Sequence, residues 1–509
     1  MRMARKNYTT IKTMGKSSTI WQIGKRMFRS NKNCHPGCQN TMRNHTRQGI
    51  LKKPPNTNIK QGESIMKLTL ILGLMTLTLI SGVTTVSARY QEAMDTNSFV
   101  QDLKSDYGLV DDDAKTNQSA LLQKAINDVA AAGGGRLIIP KGTYRFAKVY
   151  LKSNVHLLIE KDTVIKPYWP EGTKTVIFIL DYEDTSGRGP KQRGNEFIEN
   201  VSIRGLGGRF IVDYSDRERR EEEGIRTVLC RMVRNFLISD LDIKDNFTVY
   251  CGLTMTPTRS RNENVKHWEI SRATDGTIRN CRIFNASPGY GLVQLHGAQS
   301  LHFEDLYAKG GVTLRLETGA VGDHTAVYDI TARNITSENG RCAVMLGPHS
   351  ANNGLVHVDG VTSQSSTYAV TIGRGNVKKA EQARNPDAKP GRFADGCSIK
   401  NIHAIFGKDA QVKTHEMMNI PEEYYDDLRL RKVTKFFDGP SIGAVKDYTN
   451  GTYRVDIENV TLEGFKYNAD KKILTPEDAR PGKWGQALRK WKADRGIPIE
   501  PRRASNSGK

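Results

Sequence analysis

The phrase that returns most often along this chain reads FIENVSI at 197–203, FLISDLDI at 236–243 and TIRNCRI at 277–283. Apolar and polar residues alternate on either side of a central Asn, Asp or Gly, which is the two-residue period of a β-strand. Five further copies follow, namely LHFEDLYA at 301–308, YDITARNIT at 328–336, VHVDGVT at 356–362, SIKNIHA at 398–404 and VDIENVTL at 455–462. A strand phrase that recurs in this way indicates a repeat architecture.

The spacing of the phrases predicts an all-β solenoid, the parallel β-helix. The eight centres lie 40, 40, 25, 29, 26, 41 and 58 residues apart, so the smallest step is near 25 residues. Second alternating runs such as GLVQLHG, VTLRLETG, AVMLG and AVTIG stand between them, which gives two or three strands for each coil. A propeller repeats at about 40–45 residues and a β-sandwich does not repeat, so neither fits as well.

A helix is predicted before the first coil. NQSALLQKAINDVAAA at 117–132 has the apolar spacing of an amphipathic helix, and Gly133, Gly134 and Gly135 end it. We expect this helix to cap the open end of the β-helix, because strands would otherwise present an unpaired edge there. A strand is expected to follow at 136–140.

The positive charge of the chain is concentrated at its start. The chain has 509 residues and a formal net charge of +21. Residues 1–88 hold 15 Lys and Arg and one acid, or +14, which leaves +7 for the other 421 residues. This distribution argues against a uniformly basic nucleic-acid-binding protein. The residual positive balance favours an anionic polymer as partner, although mild basicity is also common without a specific reason.

Residues 66–88 have the pattern of a secretory signal peptide. Met66 and Lys67 precede a 13-residue apolar run, and the small residues Val86-Ser87-Ala88 form a cleavage site. Thirteen helical residues span about 20 Å, too short for a bilayer. We therefore expect a secreted or periplasmic protein cleaved near Ala88. Residues 1–65 are expected to lie upstream of the true start and to be disordered, 89–468 to form the catalytic β-helix and 469–509 a charged tail with a helix at 484–494.

The cysteines give no disulfide or zinc pattern. Two of the seven precede the predicted cleavage site, and the other five are Cys230, Cys251, Cys281, Cys342 and Cys397. An odd number without CxxC spacing favours buried free thiols that pack as small apolar groups. No other segment has the length of a membrane span, so we expect no membrane association.

A cluster of polar side chains is predicted on one face of neighbouring coils. If Val312, Leu314 and Leu316 are buried, then Thr313, Arg315, Glu317 and Gly319 face solvent together. On the preceding coil Gln294 and His296 face outward, and on the next coil His349 stands at a strand end. A carboxyl group among such residues is suited to glycosidic-bond hydrolysis, which needs a proton donor and a base. From periodicity alone, an ordinary solvated surface explains the pattern equally well.

The stretch GYGLVQLHG … GGVTLRLETG resembles the iota-carrageenases of glycoside hydrolase family 82, and the broader likeness runs from about Asp106 to Phe465. The resemblance implies a right-handed parallel β-helix and inverting hydrolysis of a sulfated galactan, namely iota-carrageenan. It implies that Glu317 is the general acid, with Arg315 beside it and Gln294 organising the water or an ion. His349 and Glu381 fall where the family places a further His and Glu.

One position departs from the family pattern. The family has its general base, an Asp, two residues after the acid, and here that position is Gly319. An outward Asp there would lie about 7 Å from Glu317, within the range for inversion. Asp323 is the nearest substitute by sequence; otherwise Gln294 positions the water, or the protein binds polysaccharide without cleaving it. Replacing Gly319 by Asp is expected to raise activity, since a strand tolerates Asp at modest cost.

Other enzymes that share the fold fit less well. The motifs of polygalacturonases are missing, apart from a weak match at Leu295-His296-Gly297. The chain also lacks the clustered aspartates that a calcium-dependent pectate lyase would need. The chemistry needs no cofactor, although structural calcium or sodium is possible. We expect a monomer whose partner is a sulfated anionic polysaccharide. The long segments 373–396 and 408–450 either wall the groove and clamp sulfates, or are solvated insertions.

Overall fold

A computed structural model describes residues 90–93, 99–169, 172, 174–182, 197–217, 223–257, 272–319, 325–431, 436–480 and 484–497. The predicted leader at 1–65, the signal peptide at 66–88 and the candidate base Asp323 lie outside the described residues. None of the helices in these ranges has the length and apolar character needed to cross a membrane.

The described residues form short strands with few helices. The first half contains β1 (Val100–Asp102), α1 (Ser119–Ala131), β2 (Gly135–Ile139), β3 (Thr143–Phe146), β4 (Val149–Tyr150), β5 (Val155–Glu160), β6 (Val164–Pro167), β7 (Lys174–Leu180), β8 (Ile198–Leu206), β9 (Phe210–Asp213), β10 (Gly224–Cys230), β11 (Val233–Lys244), β12 (Leu253–Met255), β13 (Ala273–Leu295) and β14 (Ala298–Glu317). The second half contains β15 (Val327–Glu338), β16 (Cys342–Gly347), β17 (Asn352–Asn353), β18 (Val356–Gln364), β19 (Val370–Gly373), α2 (Lys379–Arg384), β20 (Arg392–Phe393), β21 (Ser398–Ile405), β22 (Ala410–Val412), β23 (Arg429–Leu430), β24 (Phe437–Gly439), β25 (Val445–Tyr448), β26 (Asp456–Glu463), β27 (Ile473–Leu474) and α3 (Trp484–Asp494).

The strands stack as a right-handed parallel β-helix, as predicted. One continuous wall runs through β2, β5, β8, β11, β13, β14, β15, β18, β21 and β26, and every pairing along it is parallel. A second wall, here called the groove wall, runs through β7, β10, β12, the ends of β13 and β14, β16, β19 and β25. The inward residues of both walls meet in one apolar core.

Each repeated phrase is a strand that bends at its central residue. The eight centres all have φ between 53° and 81°, the left-handed region that Asn, Asp and Gly tolerate best. We call them the corner ladder: Asn200, Asp240, Asn280, Asp305, Asn334, Gly360, Asn401 and Asn459. In β11 the arm before the corner pairs with β8 and the arm after it pairs with β9. The periodic Asn of the sequence is therefore the turn that separates two walls.

Side-chain amides connect successive rungs of the corner ladder. Asn334 Nδ2 donates to Asp305 Oδ1 at 2.9 Å, and Asn459 Nδ2 donates to Asn401 Oδ1 at 3.0 Å. At Gly360 the Cβ of any other residue would lie 3.0 Å from Asn334 Oδ1. The same amide that adopts the bend also bonds the neighbouring coil, which explains why one residue type recurs at this position.

The predicted capping helix is confirmed. α1 covers 119–131 rather than 117–132, and Leu122, Ala125, Ile126 and Val129 are buried against the first coils. Gly134 is required at its end: φ is +114°, and a Cβ would lie 2.4 Å from the Cβ of Asn154. The helix therefore seals the apolar interior at the end where the strands begin.

The segment after Lys408 covers part of the β-helix instead of extending into solvent. β22, β24 and β23 form a small antiparallel sheet, and their apolar residues join a second buried cluster with Val312, Cys342 and Met345. The predicted helix at 484–494 is confirmed as α3, whose Trp491 packs against Phe437 with ring centroids 5.3 Å apart. The last paired strand, β27, lies beyond the predicted end of the β-helix at residue 468.

The five cysteines of the described chain are free and buried, as expected. Cys281 lies in the apolar core and Cys342 in the second cluster. Burial raises the pKa of these thiols, so they remain protonated and pack as small apolar side chains.

Candidate active site

Strand register brings the predicted site residues together on the groove wall. Gln294 pairs with Arg315, and Glu317 at the end of β14 pairs with Gly347. On the following coils Gly373 pairs with Tyr448. We call the row His296, Glu317, Gly347, Gly373 and Tyr448 the groove ladder.

Glu317 is the centre of a hydrogen-bonded cluster that contains three of the predicted residues. Its Oε2 accepts from Gln294 Nε2 at 3.0 Å and pairs with Arg315 Nη2 at 2.6 Å. Its Oε1 faces His349 Nε2 at 3.5 Å. The guanidinium of Arg315 also donates to the carbonyl of Gly289. Both carboxylate oxygens are therefore held by side chains from three successive coils.

The contacts of Glu317 set its charge. Burial raises its pKa, but the hydrogen bond from His349 and the positive charge of Arg315 outweigh burial and lower the pKa to about 2. The carboxyl is therefore ionised at neutral pH in the free protein. His349 Nδ1 lies 3.3 Å from Asn376 Oδ1, so both ring nitrogens of His349 have an oxygen nearby.

The polar face is not an open surface, and part of the predicted alternation was wrong. Gln294 and Arg315 are only 5% and 9% exposed. Val312 packs in the outer cluster under the 408–450 segment instead of the interior. Thr313, predicted to face solvent, is fully buried and donates to the carbonyl of Thr336 at 2.8 Å. The strand alternation thus holds at 314–317 but fails at 312–313, where the covering segment provides a second apolar environment.

A cavity of about 690 Å³ opens beside Glu317. Gly347 and Gly373 lie in its floor, where a Cβ would meet only backbone oxygens at 3.9 and 3.6 Å. The charged side chains that line it are Glu317, Arg341, Arg374 and Lys446, with His349 and His415. Because two rungs lack side chains, a flat ring can approach the backbone between Glu317 and Tyr448.

A buried ion pair supports the wall opposite His349. Arg341 Nε lies 3.1 Å from Glu416 Oε1, and Glu416 Oε2 accepts the backbone N–H of Lys413. Burial raises the pKa of Glu416, but Arg341 and Lys446 outweigh it and lower the pKa to about 2. Burial lowers the pKa of Lys446, whose ammonium lies 4.4 Å from the ring centre of Tyr448. The wall therefore carries buried cationic groups, one of which is paired with Glu416.

Two of the predicted residues are not placed at this cluster. Glu381 lies in α2, is 5% exposed, and has one carboxylate oxygen without a hydrogen-bond partner among the described residues. No ion pair or hydrogen bond of the described chain joins it to Glu317, and it does not line the cavity. Asp323 lies outside the described residues. Within those residues, no three His, Cys, Asp or Glu side chains form a metal-binding group.

Position 319 is not the strand position that the sequence suggested. β14 ends at Glu317, and Gly319 has φ +68°. A Cβ there would lie 2.9 Å from the backbone nitrogen of Ser350 and 3.0 Å from the carbonyl of Pro348. The expectation that Asp is tolerated here at modest cost is therefore wrong, because the backbone of Ser350 and Pro348 leaves too little space for a Cβ.

Sequence reasoning did not assign a function to several residues of the site. Arg341 and Lys446 come from coils whose charged residues look like ordinary surface positions, and only the 408–450 segment makes them cavity walls. His296 was expected on the polar face but was given no role. The outward alternation in Leu292–His296 was the available signal for it.

Known proteins with similar sequences are iota-carrageenases, although no family model matches the chain. One from Alteromonas macleodii is 35% identical over 283 residues, which cover 54% of this chain and 53% of the relative. One from Zobellia galactanivorans is 29% identical over 443 residues, covering 74% of this chain and 86% of the relative. The chain thus spans about half the length of the first relative in the alignment.

Solved structures agree with the sequence relatives. A 1,3-α-1,4-β-D-galactose-4-sulfate-3,6-anhydro-D-galactose-2-sulfate 4-galactohydrolase superposes with a TM-score of 0.67 at 29% identity, covering 78% of this chain and 95% of that one. An iota-carrageenase complexed to iota-carrageenan fragments gives 0.64 at 27% identity, with the same coverage. In fold, the chain is similar to parallel β-helix glycoside hydrolases. Both the sequence relatives and these structures are iota-carrageenases or a sulfated-galactan galactohydrolase, so the iota-carrageenases are the family that the chain resembles.

Proposed function

We propose that this protein hydrolyses a sulfated galactan, iota-carrageenan, with inversion at the anomeric carbon, and that it acts outside the cytoplasm after cleavage near Ala88. The observation that carries the proposal is the placement of Glu317. It is the one carboxylate among the described residues that line the cavity, and it is held between Gln294 and Arg315. A single half-buried carboxyl beside a glycine floor is suited to protonating a glycosidic oxygen.

The charge of the cavity supports a sulfated substrate. Arg341, Arg374 and Lys446 face one carboxylate, so the lining carries a positive excess before the histidines are counted. Arginine forks match the planar arrangement of sulfate oxygens, as they match phosphate. The partly closed cavity screens these charges less than open solvent does, so they concentrate an anionic polymer.

Glu317 must become protonated when the substrate binds, in order to act as the general acid. In the free protein Glu317 is ionised, and His349 Nε2 stands 3.5 Å from its Oε1. A sulfate that binds Arg315 or His349 would draw positive charge away from the carboxylate and raise the pKa of Glu317. Glu317 then takes up the proton that it passes to the leaving oxygen. Arg315 and Gln294 hold the carboxyl in place during this step.

The experiment compares three polymers at equal concentration: iota-carrageenan, neutral agarose and polygalacturonate. We expect reducing ends from iota-carrageenan alone, and retardation in affinity electrophoresis that weakens with salt, because exposed charges are screened over about 8–10 Å. Reducing ends from polygalacturonate would favour a polygalacturonase or lyase instead. Equal retardation by all three polymers would contradict the proposed substrate class.

A second candidate is a non-catalytic polysaccharide-binding protein. Gly319 provides no carboxylate and the free protein holds Glu317 ionised, and both observations favour this alternative. It predicts salt-sensitive retardation by iota-carrageenan without release of reducing ends, even after long incubation. The same polymer comparison therefore separates binding from hydrolysis.

A further inference from the structure

Inverting hydrolysis requires a base as well as an acid, and the described lining of the cavity offers no second carboxylate. Gly319 has no side chain, and Gln294 cannot accept a proton at neutral pH. His349 already faces the carboxylate of the acid. Among the described residues, the candidate base is therefore a different group that stands close to Glu317 without binding its carboxylate.

His296 occupies such a position. It follows Leu295, whose register partner is Leu316, so its ring lies beside Glu317 on the preceding coil. Its Nδ1 is 2.9 Å from the main-chain oxygen of Glu317, and the main-chain N–H of His296 donates to the carbonyl of Met255 at 2.8 Å. The ring thus bonds the backbone of the acid rather than the carboxylate.

The contact with Glu317 selects the tautomer of His296. A carbonyl oxygen only accepts hydrogen bonds, so Nδ1 must carry the hydrogen. In the neutral ring Nε2 then has the free lone pair, which is the arrangement that a general base requires. The ring is only 6% exposed, and its contact with the Glu317 carbonyl fixes its orientation beside the acid.

The surroundings keep the ring neutral. Burial lowers the pKa of His296 to about 4, and the hydrogen bond to the Glu317 carbonyl opposes this only in part. The Glu317 carboxylate raises the pKa, whereas the positive charges of Arg315 and Arg226 lower it. At neutral pH the lone pair is therefore available, and its basicity is close to that of a carboxylate.

We propose that His296 is the general base of the hydrolysis, which rests on the proposed function. Nε2 takes a proton from a water molecule as the water oxygen forms a bond to the anomeric carbon. The bond from that carbon to the glycosidic oxygen breaks, and the oxygen keeps the electron pair and takes the proton from Glu317. His296 then releases its proton to solvent, and Glu317 is protonated again.

The deciding variant is His296→Asn. The Asn amide can still donate to the Glu317 carbonyl but has no basic nitrogen, so a structural role is kept while the chemical role is removed. We expect kcat on iota-carrageenan to fall by roughly 10²–10⁴-fold, with KM and affinity electrophoresis unchanged. His357→Asn is the matched control, since His357 bonds Ser398 on another wall, and it should keep wild-type kcat.

Added imidazole distinguishes lost chemistry from lost structure. We expect about 0.1 M imidazole to restore part of the rate of His296→Ala, but not to raise that of Glu317→Gln, because a base in solution replaces only the base. If His296→Asn melts at a lower temperature than wild type, His296→Gln replaces it in the same comparison. Rescue of His296→Ala without loss in the folded Asn or Gln variant would contradict the proposal.

Other outcomes also decide the question. If wild type releases reducing ends and His296→Asn keeps its rate, the assignment of the base is wrong and the proposed function stands. If only Asp323→Asn loses the rate, Asp323 is the base. If wild type binds iota-carrageenan but never releases reducing ends, the proposed function itself is wrong, and the role of His296 is wrong with it.

Discussion

The corner ladder and the groove ladder both run along the β-helix with one residue on each coil, yet they are built in opposite ways. The corner ladder repeats Asn, Asp or Gly at a positive φ, and its amides bond from one coil to the next. The groove ladder changes residue at almost every rung, from His296 and Glu317 to two glycines and Tyr448.

This difference separates what forms the fold from what forms the site. A repeated residue that adopts the bend and hydrogen-bonds the next coil adds a small, similar amount of stabilising free energy at each coil. Solenoids are stabilised in this way. A row of unlike residues adds little to stacking, and it concentrates charge and open space at one place. The groove ladder therefore depends on its surroundings much more than the corner ladder does.

Removing the carboxyl of the groove ladder should have the largest effect. We expect Glu317→Gln to lower kcat on iota-carrageenan by roughly 10²–10⁴-fold, because the amide cannot donate the proton, while binding is kept. Reducing-end assays and affinity electrophoresis measure the two properties. Glu463→Gln, a change at an exposed glutamate paired with His403, should leave both unchanged. Loss of binding without loss of kcat would contradict a catalytic role.

Removing the buried charge behind the groove should cost stability instead. We expect Glu416→Gln to lower the free energy of unfolding by about 3–5 kcal/mol, because Arg341 would remain buried without its partner. Denaturant unfolding measures this change. The lowered pKa of Glu416 makes its contribution fully present above its unfolded pKa of about 4.5 and lost as pH falls towards about 2. As the pH falls between those values, the free energy of unfolding should therefore decrease less in the variant than in wild type.

Placing a side chain at the end of β14 should strain the turn. We expect Gly319→Asp to lower the free energy of unfolding by about 1–3 kcal/mol and to release no more reducing ends, because the backbone of Ser350 and Pro348 is too close to a Cβ at this turn. Gly347→Ala is the matched control for stability, since a Cβ there has ordinary space. A marked gain in hydrolysis with an unchanged melting temperature would show that the turn can accommodate the family base.

Changes in the corner ladder should be the smallest. We expect Asn334→Ala to cost about 1–2 kcal/mol, since it loses the bond to Asp305 and places Ala at φ 56°. Asn334→Gly keeps the bend and should cost about 0.5–1 kcal/mol. Neither change should alter kcat. Equal costs for the two variants would mean that the bend itself contributes nothing at this corner.

The coil architecture could be predicted from the sequence because the patterns that specify it involve residues close together in the chain. The alternation around Asn200, Asp240 and the other centres, the amphipathic helix at 117–132 and the helix at 484–494 each depend on residues close in the chain. The cluster of Gln294, Arg315 and Glu317 also followed, since a strand period and a coil of about 25 residues suffice to place them on one face of neighbouring coils.

The cavity could not be predicted in this way, because its walls come from distant segments. Val312 packs in an outer cluster because the 408–450 segment covers it. Arg341 is part of a cavity wall because it pairs with Glu416 of that segment. The strain at Gly319 comes from the backbone of Ser350, which a strand period does not describe. Alternation and spacing encode which residues share a face, whereas burial, charge state and room for a side chain depend on what the folded chain packs against that face.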